Sequence, residues 1–407
     1  MPSVRVICAN WILPVSSPPI RNGAVAITAD QIVAVGDRVS VLDTLSTTGS
    51  DLAVEEHPHA TIIPGLINAH THLEFSHLQA PLGHKGISLP DWIAHVMGVR
   101  GETDADSKRD SIQSGLKELY ETGTVAVGEI STFPTTAVAD YSIDACQFHI
   151  HKTLFLEQLT RNLELLPQRG AEAAAHLNQR CIGLGLSPHA PYSTHPDLLK
   201  QIVDLAIERN APLAMHVAET KEELELLESR SGKFVELLQK LGVWKADSFG
   251  DKDSIDNIIE QLGRHNRSML VHGNYLNDRQ LQRISELKIT VVFCPRTHAW
   301  FGHDQYPLAR MLELGINVAI GTDSRASNPD LNLLEELRLI SQTHPNVLPE
   351  TILSLGTRCG AIALGVDQRF GTLEIGKGSA IGVIDSDKDE HDPWWWLTGK
   401  QAASVLR

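Results

Sequence analysis

The sequence lacks paired cysteines, a basic run and a long apolar stretch. Its five cysteines are scattered without a CxxC pair, which favours reduced, mostly buried thiols. With 35 basic and 50 acidic residues the formal charge is −15, so neither nucleic acid nor an anionic membrane is an expected partner. No apolar run approaches the ~18 residues of a membrane span, and the start of the chain lacks the layout of a signal peptide. The sequence therefore predicts a soluble, cytoplasmic protein that acts on a small molecule.

Both ends of the chain carry short runs rich in β-branched residues and broken by turn residues. Examples are Val4–Cys8 and Gly23–Thr28 near the start and Ile381–Ile384 near the end. Between them, apolar runs alternate with stretches that place apolar residues at helical spacing, which is typical of βαβ units around a parallel sheet. We predict a small β-sandwich domain formed by residues 1–60 and 366–407, and a separate central domain over residues 61–365.

The central region contains eight strand-type runs, the number that closes a (β/α)8 TIM-type barrel of the α/β class. The runs are Thr61–Asn68, Thr124–Ile130, Cys146–Leu156, Cys181–Leu186, Pro212–His216, Met269–His272, Thr290–Cys294 and Asn317–Gly321. Amphipathic stretches such as Ser107–Glu121 and Lys221–Leu241 predict the intervening helices. Pro81–Gly101 is predicted to be a long loop after the first barrel strand, and Phe249–Asp253 to open an extra helix before the sixth.

Four of the predicted strand ends carry residues that ligate metals or move protons. These residues are His70 and His72 after strand one, His216 and Glu219 after strand five, His272 after strand six, and Asp323 after strand eight. Catalytic groups of β/α barrels lie at the carboxyl ends of the strands, so these side chains are expected to converge. A histidine on a strand is often only a packed core residue, but the coincidence of four strand ends favours a metal site. Imidazole and carboxylate ligands suit zinc first and iron second, with one position open for water.

Five motifs, in barrel order, resemble those of the amidohydrolase superfamily. They are Pro64-Gly65-Leu66-Ile67-Asn68-Ala69-His70-Thr71-His72, Ser187-Pro188-His189-Ala190-Pro191-Tyr192-Ser193, His216-Val217-Ala218-Glu219-Thr220, His272-Gly273-Asn274 and Gly321-Thr322-Asp323-Ser324. Within the superfamily the chain resembles the branch that contains cytosine, guanine and adenosine-type deaminases and triazine hydrolases. The resemblance runs from Pro64 to Gly365, and the terminal β segments are similar to the composite sheet domain of that branch.

The resemblance implies a role for each of these residues. It implies that His70, His72, His216 and Asp323 are the metal ligands. It also implies that Glu219 is the proton shuttle and that His272 and Asp323 orient the attacking water. The predicted fourth strand is followed by His189 and lacks the bridging lysine with which binuclear relatives hold two cations. The expected cofactor is therefore one divalent ion, zinc in the first place or iron.

Five further residues are predicted to contact the substrate: Glu74, Trp92, His189, Arg296 and His298. The run His72-Leu73-Glu74-Phe75-Ser76, with the Trp92 segment, resembles the aminofutalosine deaminases. After strand seven, Arg296-Thr297-His298 stands where that branch usually has x-Ser-Asn. Arg296 is predicted either to pair with a substrate carboxylate or to pair with an acidic neighbour such as Glu74. Likewise, His189 either contacts substrate or only orders its loop, and Trp92 either stacks on a flat ring or packs a long loop.

The predicted function is that of a metal-dependent aminohydrolase that uses a metal-activated water. Its substrate is predicted to be an amino-substituted aromatic ring, a purine or adenosine-like compound such as aminodeoxyfutalosine. Two alternatives stay open at this stage: a triazine-type chlorohydrolase or cyclic amidase with the same site, and a non-catalytic barrel used for binding. The run Trp394-Trp395-Trp396 is predicted to pack against the barrel or against a second subunit, so a homodimer is one candidate assembly.

Overall fold

The computed structural model describes residues 4–47, 51–102, 104–132, 149–179, 183–245 and 248–406. Strands and helices alternate through the middle of the chain, and strands dominate its ends. The strands are β1 (Val4–Ile12), β2 (Ile20–Ile27), β3 (Ile32–Asp37), β4 (Leu52–Pro64), β5 (Leu66–Thr71), β6 (Thr124–Ser131), β7 (His151–Gln158), β8 (Leu184–Pro188), β9 (Leu213–Val217), β10 (Ser268–His272), β11 (Thr290–Phe293), β12 (Val318–Ile320), β13 (Ile381–Ile384) and β14 (Ala403–Leu406). The helices are α1 (Arg38–Ser46), α2 (Leu89–Glu102), α3 (Ala105–Glu121), α4 (Leu166–Leu177), α5 (Pro196–Arg209), α6 (Lys221–Ser229), α7 (Lys233–Lys240), α8 (Ile255–Gly263), α9 (Asp278–Leu287), α10 (Pro295–Phe301), α11 (Leu308–Glu313), α12 (Leu333–Thr343), α13 (Pro349–Leu355) and α14 (Arg358–Leu364).

A six-stranded sheet is built from both ends of the chain, in the order β14-β13-β4-β1-β2-β3. Strands β1 and β4 run parallel, and the other neighbours are antiparallel. Ile7, Ile62 and Val383, from three different strands, meet in its buried core. The predicted sheet made from both chain ends is therefore confirmed. The domain limits at residues 60/61 and 365/366 remain a prediction.

The second sheet is the predicted β/α barrel. Strands β5 to β12 follow one another in chain order and are all parallel. A bridge between Thr71 and Asp323 joins the last strand to the first. Every residue of β5, β9 and β10 is buried, because one face of each strand points into the barrel and the other is covered by helices. This arrangement explains why the barrel strands are near-continuous apolar runs in the sequence.

The predicted first barrel strand, Thr61–Asn68, is divided between the two sheets. Strand β4 of the small sheet ends at Pro64, and barrel strand β5 begins at Leu66. Between them, a Cβ on Gly65 would lie 2.2 Å from Cγ1 of Val125, so only glycine fits at this crossing. The chain thus passes from one sheet into the other across a single residue.

Two other predictions for this region differ from the structure. The predicted loop Pro81–Gly101 contains helix α2, whose side chains Trp92, Ile93 and Val96 line the mouth of the barrel. The predicted helix Lys221–Leu241 is two helices, α6 and α7, because Arg230 and Gly232 adopt φ of 54° and 84° between them. The predicted strand starts Cys146 and Cys181 lie outside the described residues, and the described strands β7 and β8 begin at His151 and Leu184.

The tryptophans near the C-terminus pack inside the chain. Trp395 and Trp396 are buried, and Nε1 of Trp395 donates to Oγ1 of Thr61 at 3.0 Å. Nε of Arg338, on helix α12, donates to the carbonyl oxygen of Trp396 at 2.8 Å. Of the two predicted packing partners, the barrel is the one the structure shows. Among the described helices, none has the length and apolarity needed to cross a bilayer.

Candidate active site

A cavity of about 900 Å³ opens at the carboxyl ends of the barrel strands. Its base is polar and its outer wall is mainly apolar. The base is formed by His72, His216, Glu219, His272 and Asp323. The outer wall includes Trp92, Ile93 and Val96 of α2 and Phe234, Leu237 and Leu238 of α7. The two helices that the sequence did not predict as separate elements therefore shape the part of the cavity farthest from the polar base.

The predicted metal ligands meet at the base of this cavity. His70, His72 and His216 offer ligand nitrogens that lie within 4.8 Å of one another. Oδ1 of Asp323 lies 3.6 Å from Nε2 of both His70 and His72. The barrel closure causes this proximity, since the backbone amide of Asp323 donates to the carbonyl oxygen of His70 at 3.1 Å. The seam between the first and last barrel strands thus assembles most of the cluster.

Close backbone packing fixes His70 at that seam. A Cβ on Gly321, in the turn after β12, would lie 2.8 Å from Cβ of His70 and 2.9 Å from its carbonyl oxygen. Any larger residue would push the first strand away from the last. On the opposite face of β5, Oγ1 of Thr71 donates to Oε2 of Glu129 at 2.7 Å, so the two flanking histidines both face the cavity.

His72 and His216 are in the protonation state that metal binding requires. Nδ1 of His216 lies 2.9 Å from the carbonyl oxygen of His189, which only accepts, so Nδ1 carries the proton. The lone pair of its Nε2 then faces Nε2 of His70, 3.3 Å away. Burial lowers the pKa of His216 to about 3 and holds that of His72 well below its ordinary value. Neutral imidazoles beside a carboxylate fit a divalent transition metal.

Asp323 remains ionised although it is buried. Burial alone would raise its pKa, but the hydrogen bond with His70 and the electrostatic interaction with the surrounding imidazole rings outweigh burial and lower the pKa. Oγ of Ser327 also donates to Oδ2 of Asp323 at 2.9 Å. The carboxylate therefore contributes a fixed negative charge to the cluster.

Glu219 and His272 form a second polar pair beside the cluster. Oε1 of Glu219 lies 3.6 Å from Nε2 of His272. Burial raises the pKa of Glu219 well above its ordinary value, and the charges of Asp323 and Glu223 raise it further. Burial lowers the pKa of His272, so its ring is neutral. A carboxyl group with a raised pKa, beside a neutral imidazole, is equipped for general acid–base chemistry.

Three site positions hold non-glycine residues in the left-handed backbone region. Ala218, His272 and Asp323 have φ of 53°, 69° and 55°. Each left-handed residue costs roughly 1–2 kcal/mol of folding free energy. Hydrogen bonds to the neighbouring backbone offset this cost. The carboxylate of Glu223 accepts the amides of Ala218 and Glu219, both at 2.9 Å. The hydroxyl of Tyr306 donates to the carbonyl oxygen of His272 at 2.8 Å. Strain of this kind at strand ends is typical of functional sites.

Glu223 is expected to position Glu219, and Glu223→Gln tests this role. The amide group of glutamine has one acceptor oxygen, so one of the two buried backbone N–H groups loses its partner, at a cost of about 1–3 kcal/mol. We expect the free energy of unfolding to fall by that amount. We also expect kcat to fall with KM little changed, because the turn that carries Glu219 loosens. Denaturant unfolding and steady-state kinetics measure the two effects.

The matched control for Glu223→Gln is Glu228→Gln, an exposed position on the same helix. The control should leave unfolding and kcat unchanged. A Glu223→Gln variant with the stability, kcat and pH profile of the parent would show that Glu223 does not hold the turn.

Two of the five predicted substrate contacts line the cavity. Burial lowers the pKa of His189 to about 3, and its Nδ1 lies 2.6 Å from Oγ of Ser193. Trp92 donates from Nε1 to the carbonyl oxygen of Ala326 at 2.9 Å and packs edge-to-face on Phe301 with 5.5 Å between ring centroids. Both residues thus have structural partners as well as an exposed edge on the cavity wall.

The structure does not bring the other three predicted contacts, Glu74, Arg296 and His298, to the cavity wall. Arg296 forms a bidentate pair with Asp330, at 2.6 and 3.0 Å. The alternative prediction of an acidic partner therefore describes Arg296, but the partner is not Glu74. His298 packs on Phe293 with 5.6 Å between ring centroids, behind the wall. We leave these three residues out of the proposed substrate site.

The polar residues of the wall that the sequence did not predict include Arg100 and Glu157. Arg100, on α2, lines the cavity and is held by Glu74, whose Oε1 accepts from Nη2 at 2.6 Å. Glu157, near the end of β7, also lines the cavity. Glu157 could have been predicted from the sequence, because it lies one residue beyond the predicted strand Cys146–Leu156 and functional groups of β/α barrels follow the strands.

A barrel whose strand ends assemble an imidazole–carboxylate cluster beside a buried glutamate with a raised pKa belongs to the metal-dependent hydrolases. Comparison with known families narrows this class. The model of the Amidohydrolase family matches residues 61–402, most of the chain. The chain therefore belongs to the Amidohydrolase family, as its motifs predicted.

Individual relatives and solved structures agree with this membership. The chain is 29% identical, over 388 residues, to a 5-methylthioadenosine/S-adenosylhomocysteine deaminase of Pyrococcus furiosus, covering 90% of this chain and 86% of the relative. The crystal structure of Helicobacter pylori aminofutalosine deaminase with methylthio-coformycin superimposes with a TM-score of 0.84 at 24% identity, covering 98% of this chain and 97% of that one. An atrazine chlorohydrolase of Arthrobacter aurescens, complexed with zinc, gives a TM-score of 0.80 at 20% identity, covering 99% and 93%. At these identities the two structures show a shared fold.

Proposed function

We propose that this protein is an aminohydrolase that deaminates the purine ring of an adenosine-like nucleoside. The observation that carries the proposal is the placement of Glu219 and His272 beside the metal-ligand cluster, at the base of a large cavity with an apolar outer wall. The deaminase relative acts on adenine nucleosides by its name. The polar groups at the base of the cavity and the size of the cavity both support this class of substrate.

The residues that would hold the metal are His70, His72, His216 and Asp323. We propose one ion, with zinc preferred, because three imidazoles and one carboxylate leave a position for water and the cluster contains no bridging group for a second cation. When bound, the ion supplies Lewis acidity that lowers the pKa of a water molecule toward ~7. The neutral histidines are ready to act as its ligands without losing a proton first.

The protein's own groups move the protons. Glu219 takes a proton from the attacking water and delivers it to the ring nitrogen next to the reacting carbon. The water oxygen bonds to that carbon, its second proton passes to the amino group, the carbon–nitrogen bond breaks, and the amine leaves as ammonia. His272, 3.6 Å from Glu219, donates or accepts a hydrogen bond at the reacting oxygen and keeps the water in line. The burial of these groups excludes bulk water from the proton path.

The volume of the cavity favours a nucleoside over a bare base. About 900 Å³ lies near the upper end of the ~300–1,000 Å³ range of small-molecule sites, and a single aromatic ring fills only part of it. The outer wall of Trp92, Ile93, Phe234 and Leu238 offers contact to an apolar group carried by the sugar. We therefore propose that nucleosides whose 5′ substituent offers apolar surface, such as the methylthio group of 5′-methylthioadenosine or the phenyl ring of aminodeoxyfutalosine, are better substrates than free bases.

Ammonia release by zinc-loaded protein tests the proposed function. The substrates compared are 5′-methylthioadenosine, aminodeoxyfutalosine, adenosine, adenine, guanine and cytosine, with a chlorotriazine assayed for chloride release. We expect the two 5′-substituted nucleosides to give the highest kcat/KM. Release of chloride without ammonia would favour the triazine hydrolase alternative. Turnover of none of the amines would contradict the proposal.

A further inference from the structure

Glu157 is a buried carboxylate on the cavity wall whose role the proposed reaction does not explain. Its side chain is 2% exposed, and Oε1 has no hydrogen-bond partner among the described residues. The nearest donor is Nε2 of His189, at 3.8 Å, which is beyond hydrogen-bond distance. An unpaired buried carboxylate oxygen is costly, so a group that donates to it is expected in the working complex.

The surroundings of Glu157 restrict the charge of that donor. Arg100 lines the same cavity. Its Nε and Nη2 both donate to one oxygen of Glu74, Oε1, at 3.1 and 2.6 Å. Burial alone would lower the pKa of Arg100, but the charges of Glu74 and Glu157 raise it, which places Glu157 within electrostatic reach of the guanidinium. Glu74 already compensates the charge of Arg100, so the two carboxylates and one guanidinium leave one net negative charge, which repels a ligand carboxylate. A donor that carries no negative charge, such as a hydroxyl group, suits Glu157.

The position of Glu157 indicates that it would contact the substituent on the reacting ring. His189 lies between the two regions: its ring centroid is 5.3 Å from that of His216, and its Nε2 faces Glu157. A ring that reacts at the metal-ligand cluster would therefore direct its substituent toward Glu157 and the apolar outer wall. A carboxylate accepts two hydrogen bonds side by side, which matches a pair of neighbouring hydroxyl groups.

We propose that Glu157 binds the vicinal hydroxyl groups of the sugar and so makes the enzyme specific for ribonucleosides. This inference rests on the proposed function, because it assumes a nucleoside in the cavity. The sugar hydroxyls satisfy the orphan oxygen, and their binding fixes the distance between the sugar and the reacting ring.

A substrate analogue tests the contact on the unmodified enzyme. Adenosine is compared with 2′,3′-dideoxyadenosine, which lacks both hydroxyl groups. Because a hydrogen bond to a charged group is lost, we expect the dideoxy analogue to lose about 10- to 100-fold in kcat/KM, chiefly through KM. Equal kcat/KM for adenosine and the dideoxy analogue would overturn the proposal.

Variants assign the effect to Glu157. In Glu157→Gln and Glu157→Ala the preference for adenosine over the dideoxy analogue should shrink, and in the alanine variant it should vanish. Glu164→Gln, an exposed acid on the loop after the same strand, should keep the full preference. Undiminished preference in well-folded Glu157 variants overturns the proposal. If neither variant folds, the analogue comparison on the unmodified enzyme decides.

The two proposals fail in different ways. Deamination of adenosine and its dideoxy analogue at equal rates removes the role of Glu157 and leaves the aminohydrolase standing. Absence of deamination removes the proposed reaction, and calorimetric binding of adenosine against the dideoxy analogue then still measures the hydroxyl contact. Binding that is independent of the hydroxyl groups contradicts it.

Discussion

Replacing Glu219 with glutamine is expected to lower kcat by about 10²–10⁴-fold. Glutamine keeps the size of the side chain and one acceptor, but it neither takes a proton from water nor delivers one to a ring nitrogen. Because the metal ligands are untouched, KM and zinc content should change little. The pH profile of kcat should also lose the limb that reports the titration of Glu219. Steady-state kinetics across pH and metal analysis of the purified variant measure these effects.

The control for Glu219→Gln is the exposed Glu228→Gln on the neighbouring helix, which should behave as the parent. A Glu219→Gln variant that loses less than an order of magnitude in kcat would mean that another group carries the proton. Loss of zinc in the same variant would instead make Glu219 part of the metal site.

Replacing Asp323 with asparagine is expected to abolish both zinc retention and activity. Asp323 supplies the fixed negative charge near His70 and His72, at 3.6 Å from each Nε2, and a neutral amide oxygen does not replace that charge. Zinc should stabilise the parent, by about 2.7 kcal/mol when free zinc is at 100 times its Kd. It should stabilise the variant far less. Elemental analysis and thermal melts with and without zinc make the comparison.

The outcome of this experiment separates a ligand from a structural residue. A variant that melts cooperatively but holds no zinc supports Asp323 as a ligand. Loss of cooperative melting would show that Asp323 mainly holds the barrel seam, where its amide bonds to His70. Asp304→Asn, at an exposed position after α10, should retain both zinc and activity.

The metal-ligand cluster was predictable because it follows from barrel topology. Strand ends of a closed parallel barrel converge whatever their separation in the chain, so His70 and Asp323 meet although more than half of the sequence lies between them. The positions of His216, Glu219 and His272 follow in the same way. For these residues it was enough to recognise each strand and read the residues after it.

The wall of the cavity was less predictable because it depends on pairing between loops. Arg296 pairs with Asp330, which lies on the loop before α12. The sequence contains many other acidic residues that could pair with an arginine equally well. Glycines at positions 98 and 101 concealed helix α2, although Trp92, Ile93 and Val96 already lie at helical spacing. Glu157 was missed because the predicted strand ended two residues too early. Errors of one or two residues at strand ends therefore matter most where specificity is decided.

The small sheet has a consequence for how the chain reaches its final form. Strand β4 continues through Gly65 into β5, and its other edge pairs with β13, where Ile381 lies opposite Pro64. The partner of an early strand is thus synthesised late, and this edge of the sheet must wait until β13 has emerged from the ribosome. Closing so long a loop is slow. During translation, the unpaired edge of β4 is exposed to other nascent chains, which makes it the segment most in need of a chaperone.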